Sequence, residues 1–168
     1  MFKLKPDVYQ KDVLSIDYKK LKKLGIKVLL FDFDNTLIER GNYSINKDIV
    51  KLFDRIKKDF DIYIVSNSIH ERKLRIVTNQ INVSYIKGSR KPLKTGFNKL
   101  KLKGINNNEI AMIGDQLMTD VLGGKRMNYF TILVDPIDKN EWLLTRLNRF
   151  LEKIYFKKNS IVKGEYYD

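Results

Sequence analysis

Short runs of apolar, β-branched residues alternate along the chain with stretches whose apolar positions recur at helical spacing. Five runs have the length and composition of buried strands: Ile26–Phe33, Ile62–Val65, Val83–Ile86, Glu109–Ile113 and Tyr129–Val134. The helices predicted between them are Asn46–Lys57, Ile69–Gln80, Leu93–Lys101 and Thr119–Met127. Such alternation is typical of βαβ units, in which helices cover both faces of a parallel sheet. The pattern therefore predicts an α/β fold with a parallel sheet of about five strands.

Polar residues at the predicted helix ends support these boundaries. Ser68 and Glu71 have the spacing of a capping box at the start of the second helix. Asn128 stands where a residue in the left-handed conformation would end the fourth helix. We expect one domain over residues 1–168, with its core at about residues 25–135.

Two flanks lie outside this predicted core. The N-terminal flank, residues 1–24, mixes apolar residues with basic ones. The C-terminal segment, about residues 140–158, has apolar residues at helical spacing with arginines and lysines among them. This second pattern predicts an amphipathic basic helix, which either packs on the domain or contacts a membrane surface.

A polar cluster follows each of the first four apolar runs. The clusters are Asp32–Thr36, Ser66–Ser68, Ser89–Pro92 and Gly114–Asp120. Ligands of open α/β sheets bind beyond the carboxyl ends of the strands, so we expect the four clusters to converge on one pocket. In an extended chain Asp32 and Asp34 point the same way. Two such carboxylates in one small volume require either a shared cation or a proton on one of them.

Each cluster also has a plainer interpretation. Asn67 and Ser68 could cap a helix, Lys91 could be a surface lysine, and Gly114 with Asp115 could form a turn. Their joint occurrence, in this order and after strands, favours a phosphoryl-transfer site instead. Such a site needs carboxylates for a hard cation, hydroxyl and amide groups for phosphate oxygens, and a lysine as a point charge.

The same residues carry a resemblance to a known family. The segment Asp32-Phe33-Asp34-Asn35-Thr36 resembles the first motif of the haloacid-dehalogenase (HAD) phosphatases. Ser66 resembles their second motif, Lys91 resembles the third, and Asp115 with Asp120 resembles the fourth. The runs Pro6–Tyr9, Arg90–Pro92 and Gly114–Val121 further resemble the capless subclass IIIA branch that includes mitochondrial-type phosphatidylglycerophosphate phosphatases. The resemblance implies a Rossmann-like HAD fold without a cap domain.

The resemblance implies chemical roles for the first motif. Asp32 would attack phosphorus and form an aspartyl-phosphate. Asp34 would protonate the leaving oxygen and then deprotonate the attacking water. Thr36 would orient Asp34.

The remaining motifs would bind phosphate and metal. Ser66 and the backbone of Asn67 would hold phosphate oxygens, and Lys91 would neutralise charge on the nucleophile and the transferring group. Mg²⁺ would bind Asp32, the Asp34 backbone carbonyl and Asp115. Asp120 would be a partner of Lys91 or of a metal-bound water. Ser68 departs from the asparagine expected there, with little expected effect on chemistry.

Composition limits the other possibilities. The chain has 168 residues, no cysteine and one histidine, His70, which excludes disulfides, thiolate metal sites and multi-histidine metal sites. His70 either contacts substrate or is a surface residue of the first helical turn. No apolar run approaches the ~18 residues of a spanning helix, and the first residues do not fit an export signal. We therefore expect a cytoplasmic, reducing setting.

Charge and spacing bear on the substrate. The formal net charge of +13 attracts polyanions, unless it only reflects a lysine-rich composition. Only 29 residues lie between Thr36 and Ser66, and 24 between Ser66 and Lys91, which is too few for a cap domain. An open site suits a large or surface-presented substrate. We therefore expect dephosphorylation of phosphatidylglycerophosphate by an enzyme bound peripherally to the inner face of an anionic membrane.

Two alternatives stay open from the sequence. One is a soluble phosphatase for sugar phosphates, nucleotides or phosphoproteins. The other is an RNA- or ribosome-binding module with a vestigial site, which the basic charge allows but the intact motif set disfavours. The sequence indicates no oligomeric state.

Overall fold

Six parallel strands form one sheet in the computed structural model, which describes residues 4–100, 102–138 and 152–163. The strands are β1 (Val8–Gln10), β2 (Val28–Phe31), β3 (Asp61–Val65), β4 (Ser84–Ile86), β5 (Ile110–Gly114) and β6 (Phe130–Val134). Their order across the sheet is β1-β6-β5-β2-β3-β4, and every neighbouring pair is parallel. The predicted α/β fold with a Rossmann-like parallel sheet is therefore confirmed.

Helices connect the strands, and those that follow β2 to β5 have the predicted βαβ arrangement, whereas the first helix was not predicted. They are α1 (Tyr18–Lys23), α2 (Lys47–Ile56), α3 (Glu71–Ile81), α4 (Lys94–Phe97) and α5 (Leu122–Arg126). A π-helical turn, Leu117–Val121, leads into α5, and 3₁₀ turns occupy Val13–Ser15 and Asn107–Glu109. Between β2 and β3 the only helix is α2, and between β3 and β4 it is α3. The described residues therefore include no cap domain.

Two helix boundaries differ from the prediction. Helix α3 begins at Glu71 with His70 at its N-cap, and the Ser68 hydroxyl oxygen accepts the His70 N–H at 3.2 Å, so the predicted capping box is wrong. The Ser68 carbonyl accepts the Gly88 N–H at 2.9 Å, which keeps this residue in the loop. Helix α4 is shorter than predicted: it ends at Phe97, and Leu100 and Leu102 pack against the core outside it, while the predicted last residue, Lys101, lies outside the described residues.

The central strand β2 is buried on both faces. Its residues Val28, Leu29, Leu30 and Phe31 all have 0% exposure. Leu29 and Phe31 belong to the hydrophobic cluster that α1, α2 and α3 share, whereas Val28 and Leu30 belong to the cluster on the opposite face. Successive strand residues point to opposite faces, so this near-continuous apolar run is what a parallel strand covered on both sides requires.

The N-terminal flank is part of the sheet, which corrects its placement outside the core and adds a sixth strand. The Asp7 carboxylate accepts the Thr131 N–H at 2.7 Å and the Thr131 hydroxyl at 2.8 Å, and the Lys125 ammonium lies 2.6 Å away. These bonds join the start of β1 to β6, where Val8 lies opposite Ile132.

The predicted C-terminal helix lies partly outside the described residues, since residues 139–151 are among those not described. Residues 152–159 are helical. The buried Glu152 carboxylate accepts the Leu117 N–H at 2.7 Å, and Tyr155 and Phe156 pack against the small cluster containing Leu117 and Leu133. This part of the helix therefore packs on the domain. Among the residues that the structure describes, no helix is both long and apolar enough to cross a bilayer.

Candidate active site

The two central acids of the site follow the adjacent strands β2 and β5. Phe31 lies opposite Ile113, and the Asp32 N–H donates to the Ile113 carbonyl at 2.8 Å. From β2 the chain builds β3 and β4 on one side, and it then crosses back to place β5 on the other. Ligands of open α/β sheets bind at such a switch point. Asp32 and Asp115 are thus brought together where this fold opens a cleft.

A buried lysine connects two of the carboxylates. The Lys91 Nζ lies 2.6 Å from Asp32 Oδ1 and 2.7 Å from Asp120 Oδ1, and the lysine side chain is 1% exposed. Burial alone would lower the pKa of Lys91, but the carboxylates of Asp120 and Asp32 outweigh it and raise that pKa above its usual range. Lys91 is therefore a fixed positive charge beside Asp32, in the place that the sequence predicted.

Asp120 is held by a hydrogen bond from its own loop, and Gly114 leaves the space that its carboxyl group occupies. The Gln116 N–H donates to Asp120 Oδ2 at 3.1 Å. Burial raises the pKa of Asp120 to about 6, against the lowering effect of the Lys91 ammonium. A Cβ on Gly114 would lie 2.3 Å from Asp120 Cγ, so only glycine leaves room for the carboxyl group. Sequence analysis treated this glycine only as a possible turn residue.

Thr36 contacts two acids, but not the one that sequence analysis expected. Its hydroxyl lies 3.2 Å from Asp32 Oδ2 and 3.2 Å from Asp115 Oδ1. One hydroxyl proton can serve one of these acceptors at a time. Thr36 therefore positions Asp32 and Asp115 in this structure, and the expected contact with Asp34 is replaced by these two.

The Asp32–Thr36 loop is fixed by Asn35, whose φ is +71°. Asparagine tolerates this left-handed conformation better than most residues. The Asn35 side chain accepts the Asp138 N–H at 2.7 Å and donates to the Asp138 carbonyl at 2.9 Å. The loop after β2 is thereby tied to the chain that follows β6.

Three carboxylates form a cluster suited to a divalent cation. Asp32, Asp115 and Asp120 each offer an oxygen, and these oxygens lie within 4.8 Å of one another. Only one buried lysine, Lys91, faces them among the described residues, so the cluster carries excess negative charge. Carboxylate oxygens are the ligands that Mg²⁺ prefers, and the residues fit the ion. The sequence had assigned Asp32, Asp115 and the Asp34 backbone to the metal, and that ligand set stays a prediction.

Asp34 has a partner that sequence analysis missed. The Lys73 Nζ lies 2.7 Å from Asp34 Oδ1 and 3.1 Å from the Glu39 carbonyl, and it sits 5.2 Å from the centre of the Phe33 ring. This ion pair holds the Asp34 side chain beside Lys73 at the cleft wall. Lys73 lies in the first turn of a helix that begins at the site, and this position in the sequence could have indicated the contact.

Asn67 of the second motif positions the backbone of Lys91 and also forms part of the cleft wall. Asn67 Oδ1 accepts the Lys91 N–H at 2.7 Å and the Ser89 hydroxyl at 2.8 Å, while Asn67 Nδ2 donates to the Lys91 carbonyl at 3.0 Å. The Asn67 side chain thus fixes the backbone of Lys91, whose peptide bond to Pro92 is cis. Ser66 is 2% exposed, and its hydroxyl oxygen accepts the Ser68 N–H at 3.0 Å.

These residues surround a cleft of about 520 Å³. Its wall includes the predicted residues Asp32, Asp34, Ser66, Asn67 and Lys91. Its wall also includes residues without a predicted phosphate role, among them Arg40, Tyr43, His70 and Lys73. Thr36, Asp115 and Asp120 are buried behind this wall: Thr36 contacts Asp32 and Asp115, and Asp120 contacts Lys91. All predicted site residues therefore converge on one region.

The fold and this site together define a HAD-type phosphatase, a phosphoric monoester hydrolase. Residues 2–138 match the family described as mitochondrial PGP phosphatase, and the chain belongs to that family. It is 34% identical over 150 residues to the Bacillus subtilis (strain 168) protein named "Probable phosphatase YqeG", covering 88% of this chain and 87% of the relative.

Two further comparisons agree with this assignment. The chain is 30% identical over 164 residues to Phosphatidylglycerophosphate phosphatase 1, chloroplastic/mitochondrial, of Arabidopsis thaliana. The match covers 91% of this chain and 47% of that relative, so the chain spans about half of its length. The structure of the HAD-hydrolase YfnB from Bacillus subtilis, solved bound to magnesium, superposes with a TM-score of 0.56 at 15% identity. That likeness covers 75% of this chain and 98% of YfnB, and it shows the shared fold.

Proposed function

We propose that this chain hydrolyses the terminal phosphate of phosphatidylglycerophosphate, with Mg²⁺ and through an aspartyl-phosphate on Asp32. The observation that supports the reaction is the fixed carboxylate of Asp32. Lys91 contacts its Oδ1, Thr36 contacts its Oδ2, and the residue is 9% exposed at the cleft wall. A positioned anionic nucleophile beside a fixed cation is what attack on phosphorus requires.

In the first half-reaction, an oxygen of Asp32 forms a bond to phosphorus, and the bond from phosphorus to the ester oxygen breaks. Protonated Asp34 gives its proton to the departing alcohol oxygen. Lys91, the Ser66 hydroxyl and the backbone at Asn67 bind the oxygens of the transferring group, where negative charge develops. The alcohol leaves through the cleft and the phosphoryl group stays on Asp32.

In the second half-reaction, the Asp34 carboxylate takes a proton from a water molecule as that water attacks phosphorus. The bond between phosphorus and Asp32 breaks, which releases inorganic phosphate, restores the Asp32 carboxylate and leaves Asp34 protonated for the next cycle. Mg²⁺ held by Asp32, Asp115 and the Asp34 carbonyl would supply positive charge that neutralises the phosphoryl oxygens. Lys91 keeps the freed Asp32 in position for the next cycle.

The lipid substrate is supported by family membership and by the name of the Arabidopsis relative. The cleft has no cap among the described residues, so a headgroup presented by a membrane can reach it. The net charge of +13 favours an anionic leaflet, where each near-surface lysine or arginine contributes about 1 kcal/mol. We therefore propose a cytoplasmic enzyme bound peripherally to the inner face of the membrane.

The test is phosphate release from phosphatidylglycerophosphate in vesicles beside soluble phosphomonoesters, with Mg²⁺ present. We expect the lipid to be the better substrate and Asp32→Asn to abolish turnover with the fold intact. The matched control is Asp54→Asn, which makes the same change at a side chain that is 67% exposed on α2. Turnover by Asp32→Asn at the unaltered rate would refute the nucleophile. Preference for soluble sugar phosphates, nucleotides or phosphoproteins by orders of magnitude would refute the lipid substrate.

A further inference from the structure

Five large apolar side chains are exposed on segments that follow the strands. They are Tyr43 (48% exposed), Ile69 (75%), Leu93 (51%), Met118 (38%) and Ile137 (43%), which we call the apolar rim. Single exposed apolar residues are normal on a protein surface and need no explanation. The apolar rim differs because each of the five strands from β2 to β6 contributes one member from the segment that follows it.

Parallel pairing places all five members at the same edge of the sheet as the cleft. The strands run in one direction, so the segments that follow them leave from the same edge. Tyr43 lines the cleft itself. Ile69 lies between the cleft residues Ser68 and His70, and Met118 is next to the cleft residue Thr119.

The fully exposed charges beside the apolar rim are mainly positive. Arg40, Lys87 and Arg90 are exposed on the segments that carry it, where Glu39 is the one fully exposed acid within the described chain. The partly exposed acids on those segments are Asp34 and Asp135, which are held in ion pairs with lysines, and Asp138. Apolar side chains surrounded by basic ones match the interface of an anionic bilayer, which offers acyl chains beneath negative headgroups.

The C-terminal helix is less suited to this role in its described part. Its Tyr155 and Phe156 already pack against the domain, and Tyr9 stacks on Phe156 with ring centres 5.5 Å apart. Its exposed apolar residue Ile154 is one position rather than a surface. The described part of this helix therefore offers a membrane less apolar surface than the apolar rim does.

We infer that the apolar rim inserts into an anionic lipid surface, so that the open cleft faces the membrane and a headgroup enters it directly. This inference rests on the proposed lipid function and specifies how the substrate is reached. The described chain has no cap domain, so the bilayer would enclose the site instead.

The test measures co-sedimentation with vesicles of phosphatidylcholine, with and without phosphatidylglycerol. Such vesicles carry no phosphomonoester, so docking is measured apart from turnover. We expect binding to the anionic vesicles and a decrease of about tenfold or more in Ile69→Ser/Leu93→Ser, since two side chains lose their apolar burial. The matched control for Leu93→Ser is Leu24→Ser, which is 53% exposed at the opposite edge of the sheet and should bind like the unaltered protein.

Several outcomes would overturn the inference. One is absence of vesicle binding by the unaltered chain. Another is equal binding by the double variant, or an equal loss in Leu24→Ser. Self-association that the double variant abolishes, without vesicle binding, would instead assign the apolar rim to contact between copies. Thermal unfolding checks that each variant folds, and the single variant Leu93→Ser carries the comparison if the double variant does not. Failure to hydrolyse the lipid phosphate, with docking intact, would refute the proposed function alone.

Discussion

Gly114→Ala is expected to disrupt the site without altering any residue that contacts substrate. The new Cβ would lie 2.3 Å from both Cγ and Oδ2 of Asp120 and 2.6 Å from its Cβ. Non-bonded carbon atoms prefer separations of about 3.5–4.0 Å, so the Asp120 carboxyl has to move by about 1 Å or more. That movement breaks its 2.7 Å contact with the buried Lys91 ammonium.

The magnitude follows from two effects. Overpacking a well-filled interior costs about 1–3 kcal/mol, and removing one partner from a buried ion pair costs about 3–5 kcal/mol. Lys91 keeps Asp32 as a second partner, which reduces the second effect. We therefore expect a loss of about 2–4 kcal/mol in the free energy of unfolding, or about 4–16 °C in Tm for a domain of this size.

The measurement is a double-mutant cycle with Asp120→Ala, followed by denaturant unfolding. Truncating Asp120 removes Cγ and Oδ2, the two atoms nearest to the new methyl group, and leaves only its Cβ at 2.6 Å. Gly114→Ala should therefore destabilise the Asp120→Ala background less than the unaltered protein. Gly104→Ala is the control, because its Cβ would meet nothing within 4 Å although its φ is +74°. That control should destabilise through backbone strain and leave turnover unchanged. Additive effects of Gly114→Ala and Asp120→Ala would refute the steric argument.

Two further predictions concern the charged groups of the cleft. Lys73→Met removes the ammonium that lies 2.7 Å from Asp34 Oδ1 at the cleft wall, so Asp34 should lose its orientation and kcat/KM should fall by about tenfold or more, whereas Lys73→Arg should retain most of it. An unchanged kcat/KM in Lys73→Met would contradict the role of this pair. Mg²⁺ at about 100 times its Kd should stabilise the fold by about 2.7 kcal/mol, or about 5–10 °C in Tm. Asp115→Asn should lose that shift while Asp54→Asn keeps it, and an equal shift in all three proteins would remove Asp115 from the metal site.

Strands β2 to β6 could be predicted because each is a local apolar run. Burial on both faces of the sheet produces that pattern in the interior strands without knowledge of the partners, whereas β4 lies at the sheet edge and is only partly buried. Strand β1 could not be predicted, because Val8–Gln10 is short and its place at the edge depends on distant groups. The Asp7 carboxylate reaches Thr131 and Lys125, which lie more than 110 residues away in sequence. The family resemblance included the segment around Asp7, but the contacts that this residue makes can be seen only in the folded structure.

The candidate site divides in the same way. Asp32, Ser66, Lys91 and Asp115 could be predicted because each follows a strand, and parallel strands bring their carboxyl ends together. Contacts between side chains could not be predicted, because they depend on angles and distances that spacing does not determine. The Thr36 hydroxyl therefore contacts Asp32 and Asp115 rather than the expected Asp34.

The charges of the site bear on how a phosphate dianion is attracted to it. Four carboxylates face two ammonium groups: Asp32, Asp34, Asp115 and Asp120 against Lys73 and Lys91. A divalent cation would balance these six groups, so attraction for the dianion requires further positive charge at the cleft. Arg40 lies on the cleft wall and supplies such a charge. Binding of the dianion should therefore depend on the metal and on Arg40 together, because both lysines are already matched by carboxylates.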